Sequence, residues 1–198
     1  MVKIGSIFLI SKTACATEIA KLIADKNIVA MFQGRGEAGP RALGNRSILY
    51  DPRDPKGKDH VNVVKKREDY RPFAGTVMLE HAHDWFDMQG LEESPYMMYA
   101  VDVLEDKKQK IPCITHVDGT CRVQTLTYNQ NPHYYNLINE FYKLTGVPIL
   151  FDTSLNLAGQ PIVHSEEQAI DVLINSEINY LYIPDRYSLF EKGQLIST

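Results

Sequence analysis

Glycine and arginine share one stretch of this chain in a pattern that suits an anion. Gly34, Gly36 and Gly39 punctuate a turn in which Arg35, Arg41 and Arg46 also fall. Guanidinium forks match phosphate and carboxylate oxygens, and accessible glycine amides add backbone donors to the same oxyanion. The three arginines are therefore expected to project around the turn as a phosphate cradle. The spacing also fits G-x-G-x-x-G, the turn of dinucleotide-binding folds. However, Pro40 and Arg41 follow at once, and no strand end about 20 residues on offers the acid that a ribose would need. The dinucleotide reading is set aside.

A second cluster is Lys65-Lys66-Arg67-Glu68-Asp69-Tyr70-Arg71-Pro72. Lys65 and Arg67 stand two apart, so on an extended stretch they face one side. Pro72 keeps Arg71 extended. Such spacing places several cations on one oxyanion; a charged surface with Glu68 and Asp69 as internal partners is the alternative. Charge across the chain is uneven in the same region. Six of the eight arginines and four lysines fall between positions 35 and 71, so that segment is +4 within a chain of net charge −4.

Two further groups complete the chemistry. Thr115-His116-Val117-Asp118-Gly119-Thr120-Cys121-Arg122 offers His116 and Asp118 for acid–base or ligand roles and Arg122 as another cation. A His-x-Asp pair at a turn serves equally as a hydrogen-bonded structural unit. His81 and His83, beside Trp85 and Phe86, read as packing residues. Asp152-Thr153-Ser154-Leu155-Asn156 follows an apolar run, and strand ends of α/β sheets are where ligands bind. Ser154 and Asn156 supply neutral hydrogen bonds there. No G-x-S-x-G elbow surrounds Ser154, which argues against a nucleophile.

These residues must be positioned by an alternating α/β order. Strands are expected at 3–10, 28–32, 47–50, 73–79, 98–104, 147–151 and 180–184. A helix capped by Thr13 should run to about Lys26 with Ile19, Leu22 and Ile23 inward. A second spans 132–144 and is stopped by Gly146, and a third follows a capping box of Ser165 and Gln168. Asp51-Pro52-Arg53-Asp54-Pro55-Lys56-Gly57 reads as loop. No repeat or linker interrupts the 198 residues, so one compact α/β domain with a twisted mixed sheet is expected. The acidic balance excludes a globally basic nucleic-acid binder. No apolar run reaches the roughly 20 residues of a membrane helix. Three cysteines without CxxC spacing argue against a disulfide framework or zinc site and favour a cytoplasmic setting.

Read together, the motifs become familiar. Gly39-Pro40-Arg41-Ala42-Leu43-Gly44-Asn45-Arg46, Lys65-x-Arg67-x-x-x-Arg71-Pro72-Phe73, Ser94-Pro95-Tyr96-Met97, His116-Val117-Asp118-Gly119-Thr120 with Arg122, and Thr153-Ser154-x-Asn156 occur in order. From about Thr17 to Tyr182 the chain resembles the C-terminal domain of the O-carbamoyltransferases, with residues 1–16 as an added N-terminal strand. The resemblance implies a YrdC-like α/β fold that binds carbamoyl phosphate and ATP, with Mg²⁺ accompanying the nucleotide. It implies formation of carbamoyladenylate with release of pyrophosphate and phosphate. A separate N-terminal-type transferase part, which holds the family's iron, would then pass the carbamoyl group to an acceptor hydroxyl. No iron or other metal site is expected within this domain. Carried over by motif, Arg41, Lys65, Arg71 and Arg122 form the carbamoyl phosphate cradle with Ser154 and Asn156 nearby, and Lys65, Arg71 and Arg122 act in the chemistry. Arg35, Arg67 and His116 would contact the nucleotide or pyrophosphate.

The chain departs from the family pattern at several positions. Asp152 replaces a usual asparagine, and its carboxylate would repel phosphate unless protonated or paired. Ala38, Gly75 and Leu155 stand where larger or stiffer residues are common, which predicts a roomier pocket or a looser lining. A stand-alone subunit that pairs with a transferase chain is the expected organisation, and a domain cut from a longer protein is the other. A catalytically silent phosphate- or nucleotide-binding module is the alternative, and an RNA-binding YrdC-like protein a more distant one.

Overall fold

A computed structural model describes residues 2–4, 7–36 and 41–194. Among these, eleven strands form one mixed sheet with helices packed against it. In chain order the elements are β1 (Val2–Ile4), β2 (Ile7–Thr13), α1 (Ala16–Ala24), β3 (Val29–Phe32), β4 (Arg46–Tyr50), α2 (Gly57–Val64), β5 (Ala74–Met78) and α3 (Ala82–Trp85). There follow β6 (Phe86–Asp87), β7 (Ala100–Val103), β8 (Thr120–Leu126), α4 (Pro132–Thr145), β9 (Ile149–Ser154), α5 (Glu166–Asn175), β10 (Tyr180–Ile183) and β11 (Ser188–Gln194). The strand order is β1-β2-β11-β10-β3-β4-β9-β5-β8-β7-β6. This is the expected α/β class, with β10–β3 and β5–β8 as its parallel pairs.

The central strands are near-continuous apolar runs because they are covered on both faces. Every residue of β4 and β5 is buried, as are Ile149 to Asp152 of β9. Helix α1 buries Ile19, Ala20 and Ile23, and α4 buries Tyr134, Leu137, Ile138 and Phe141, at the 3–4 spacing of a helix face. Asn131 caps α4 by accepting from the Tyr134 amide at 3.1 Å, Pro132 opens it, and Gly146 ends it at φ +73°.

Several boundaries differ from expectation for identifiable reasons. The run 3–10 is broken into β1 and β2, which pair as a hairpin. Thr13 does not cap α1, since it remains in β2 opposite Ser188; Cys15 takes the cap, with Glu18 accepting from its amide at 2.8 Å. Helix α2 was hidden behind the Asp-Pro turn that precedes it. The turn at 116–119 leads straight into β8, and β11 is held between β2 and β10 by pairing that local pattern does not reveal. In α5, Ser165 accepts from Gln168 as expected, but the Gln168 side chain reaches the amide of His164 instead of the cap residue's own.

Candidate functional site

Sheet register sets the site. Ala74 of β5 stands opposite Asp152 of β9 on one side and Arg122 of β8 on the other. Paired residues point to one face, so a carboxylate and a guanidinium flank the small Ala74 side chain. The turn leaving α2 brings Lys65, Lys66, Arg67, Glu68 and Arg71 to the same region, and the segment before β4 brings Arg41. Together with Ser154, Asn156 and the loop to Gly159 they line one cavity of about 710 Å³. Six cations and two acids thus meet in its wall.

Lys65 was expected on an extended stretch. It sits instead as the C-cap of α2, and Lys66 follows at φ +55°, a sharp reversal that still returns Arg67 to the cavity. Lys65 is buried. Its Nζ donates to the Ser154 carbonyl, to Asn156 Oδ1 at 3.0 Å and to Ser154 Oγ at 3.3 Å. Burial, reinforced by Arg67, pushes this ammonium down to about 7, while Asp152 pulls it back up. Ser154 Oγ in turn donates to Asn156 Oδ1 at 2.6 Å, and Asn156 Nδ2 donates to the Gln160 carbonyl.

The arginines differ in how they are held. Arg67 Nε donates to Asn62 Oδ1 at 2.6 Å, and its guanidinium lies 4.1 Å from the Phe73 ring centre. Burial and the neighbouring Arg71 and Arg122 lower its pKa to about 10. Arg122 is shifted down by burial and by Arg41. Its buried Nε has no hydrogen-bond partner among the described residues. Arg71 is exposed and pairs with Glu68 at 2.8 Å, so an internal partner foreseen for this stretch is present for Arg71. Asp152 is buried, and its Oδ2 accepts from Tyr134 at 3.1 Å and lies 3.2 Å from Thr76 Oγ1.

Of the nine expected site residues, Arg41, Lys65, Arg67, Arg71, Arg122, Ser154 and Asn156 line the cavity, and Arg35 and His116 do not. Arg35 is exposed beside Gly34. His116 Nε2 lies 2.9 Å from the Phe73 carbonyl and Nδ1 3.1 Å from Thr120 Oγ1, next to a separate hollow of about 390 Å³. Asp118 accepts from the Thr120 amide and hydroxyl, so the His-x-Asp pair braces its own turn.

The glycine turn also differs from the cradle expected of it. Arg46 does not project outward; its buried guanidinium donates to the carbonyls of Gln33, Asn45 and Gly34 and stacks 3.7 Å from the Phe32 ring centre. The Gly34 amide already donates to Asp185 at 2.7 Å. Gly39 lies outside the described residues. Nor do Gly75 and Leu155 enlarge the pocket. Gly75 sits where a Cβ would meet Ile114 at 2.5 Å, Leu155 is fully buried in the core, and Ala38 lies outside the described residues. His83 is exposed, not a packing residue, while His81 packs on Tyr142 at 4.8 Å. Lys66, Tyr134 and Thr76 were not foreseen; they reach the site through a turn, a helix face and a neighbouring strand.

The three cysteines are free, and the described residues hold no cluster of three or more metal-ligating side chains. No helix among them is long and apolar enough to cross a membrane.

Known proteins share both sequence and fold with this chain. Nodulation protein NolNO of Sinorhizobium fredii is 46% identical over 170 residues, covering 85% of this chain and 25% of its own length. Nodulation protein NolO of Bradyrhizobium diazoefficiens is 45% identical over 170 residues, covering 85% and 31%. The chain therefore spans between a quarter and a third of these relatives. The fold is shared with full-length HypF in a phosphate- and nucleotide-bound form, at TM-score 0.59 and 18% identity over 95% of this chain and 23% of HypF. It is shared too with P. abyssi Sua5 complexed with L-threonine, at TM-score 0.59 and 15% identity over 85% and 46%. The expected YrdC-like architecture is thus present. The family model for the carbamoyltransferase C-terminus matches residues 20–189, a stretch that contains every cation of the cavity, and the chain belongs to that family.

Proposed function

We propose that this domain binds carbamoyl phosphate and ATP and forms carbamoyladenylate. The observation that carries the proposal is the convergence of six cations on one cavity. Two phosphate-bearing substrates held together need their charge neutralised, and fixed cations do this without reorganising at the moment of reaction. Mg²⁺ enters with ATP as part of that substrate. Arg41, Lys65, Arg71 and Arg122 hold the carbamoyl phosphate, Ser154 and Asn156 orient its neutral carbamoyl end, and Arg67 faces the departing pyrophosphate. Arg35 and His116 lie outside the cavity lining and carry no part of this assignment.

The chemistry balances with one water. Water takes the phosphoryl group of carbamoyl phosphate as its P–O bond breaks, leaving carbamate and phosphate. A carbamate oxygen then attacks the α-phosphorus of ATP, the bond to the bridging oxygen breaks, and pyrophosphate leaves. Lys65, Arg71 and Arg122 stabilise the charge that builds on the phosphoryl oxygens. Transfer to an acceptor hydroxyl belongs to a transferase part of the kind that the longer relatives have room for. HypF, which shares the fold, has been seen with phosphate and nucleotide bound, in keeping with this reading.

Calorimetry with carbamoyl phosphate and Mg–ATP tests the proposal. Arg122→Ala, which removes a half-buried cation, should weaken carbamoyl phosphate binding by about tenfold or more, the scale of one lost charge-assisted hydrogen bond. Unchanged affinity would contradict the cradle. Asp152 favours a second reading, a module that binds phosphates without turnover, because a carboxylate beside the cradle opposes a dianion. Turnover that appears only in Asp152→Asn would establish it.

A further inference from the structure

The carboxylate inside this cationic cavity calls for a physical account. A buried charge survives only if it is paired and hydrogen-bonded. Lys65 is buried with neutral acceptors alone as hydrogen-bond partners, and Arg122 is half-buried with its Nε unsatisfied among the described residues. The charged groups that line the cavity with Lys65 come from four segments. The turn after α2 contributes Lys66, Arg67, Glu68 and Arg71; Arg41 and the β8 residue Arg122 add two more cations; β9 contributes Asp152. Glu68 is exposed and engaged by Arg71. Asp152 is thus the one buried carboxylate in the wall.

Its placement is built. Register across β9, β5 and β8 aligns Asp152 with Arg122 through Ala74, a span of about 10 Å between the outer strands. Tyr134 of α4 donates to the carboxyl at 3.1 Å, and the single hydroxyl proton of Thr76 on β5 lies between Asp152 Oδ2 at 3.2 Å and Gln124 Oε1 at 2.9 Å. Its field raises the proton affinity of both Lys65 and Arg122.

We propose that Asp152 is a positioning residue for the anion site: held by Tyr134 and flanked by Thr76, it keeps Lys65 charged beside Arg122 in the empty cavity and so sets the pH range over which a phosphate dianion is accepted. The anion half of this rests on the function proposed above; the coupling between Asp152 and Lys65 does not. Asp152 acts through these cations and has no bond-making role. The same carboxylate opposes the arriving dianion, so its removal has effects of opposite sign at low and high pH.

The test reads Lys65 directly. In empty protein carrying ¹³C-labelled lysine, with the Lys65 resonance identified by its loss in Lys65→Met, Asp152→Asn should lower the Lys65 titration midpoint by about one pH unit, the effect of removing a nearby opposite charge. Asp152→Glu should return it toward the unsubstituted value. An unmoved midpoint overturns the proposal. Coupling is reciprocal, so Lys65→Met must raise the Asp152 midpoint, read from ¹³C-carboxyl aspartate. This keeps the test open if Asp152→Asn does not fold, and an unmoved Asp152 midpoint also overturns the proposal. Sulfate, a dianion across this range, supplies the second arm. Asp152→Asn should bind it more tightly near pH 6 and lose it at lower pH than the unsubstituted protein. A uniform change at every pH overturns the positioning role. Absence of sulfate binding at all pH values, with the Lys65 shift intact, overturns the anion-site reading and leaves the coupling established.

Discussion

Lys65 holds its position against its own solvation. Its ammonium is buried at the end of α2, and the surrounding carbonyl and amide oxygens orient it without neutralising it. The folded pKa of about 7 lies far below the roughly 10.4 of an exposed lysine. Between these values the unfolded chain binds more protons than the native one, so stability must rise with pH through that window. We therefore expect the thermal midpoint of the protein to climb from about pH 7 to pH 10 relative to that of Lys65→Met, measured in parallel melts; a constant difference would contradict the buried, shifted lysine. Strain of this kind concentrates where function needs it. Residue type and spacing marked the cation clusters, and the ordered motifs of the resemblance singled out Arg41, Lys65, Arg71 and Arg122 among them. Arg46, spent on the carbonyls of Gln33, Asn45 and Gly34, shows that charge alone does not sort cavity arginines from structural ones. Tyr134 and Thr76 were not legible, since nothing in a helix face or a strand interior marks a side chain that reaches a carboxylate 18 or 76 positions away.

At the scale of elements, the site depends on how strand ends and turns are locked. Gly44 is the clearest case. It adopts φ +87°, and a Cβ there would lie 2.1 Å from Cδ1 of Tyr134, the residue that also holds Asp152. Gly44→Ala should cost roughly 2–4 kcal/mol by forcing both backbone strain and ring displacement. It should also weaken phosphate binding, and chemical denaturation with a parallel binding assay would show both. A loss of less than about 0.5 kcal/mol, the scale of an ordinary surface change, would show that α4 does not depend on this close approach. Helices α1, α4 and α5 were readable from 3–4 periodicity, and α4 and α5 from their end signals as well. The two surprises share one cause. Helix α2 and strand β11 are specified by what they pack against: α2 buries Val61 and Val64 behind a turn that resembles loop, and β11 is fixed by pairing on both sides. The expectation that Lys65 and Arg67 share an extended stretch failed for the same reason, yet the helix cap and the turn after it deliver both to one cavity.

For the whole molecule, charge distribution matters more than net charge. A chain of net charge −4 gathers six cations into one wall, an arrangement that favours small anions over a globally basic binder's polyanions. Carbamoyl phosphate affinity should accordingly fall only modestly between low and physiological salt, because the half-buried cations are weakly screened. A steep loss, titrated calorimetrically, would place the charges on the exposed rim instead. The sheet order explains why distant motifs meet: β5 lies between β9 and β8, so residues 74, 122 and 152 become neighbours although they are far apart in sequence. The most direct test of the central claim is release of pyrophosphate from Mg–ATP by this chain, with and without carbamoyl phosphate. The account predicts pyrophosphate and phosphate in equal amounts, only when both substrates are present, and a loss of orders of magnitude in Arg122→Ala. Pyrophosphate release that ignores carbamoyl phosphate, or none from folded protein that binds both substrates, would contradict it.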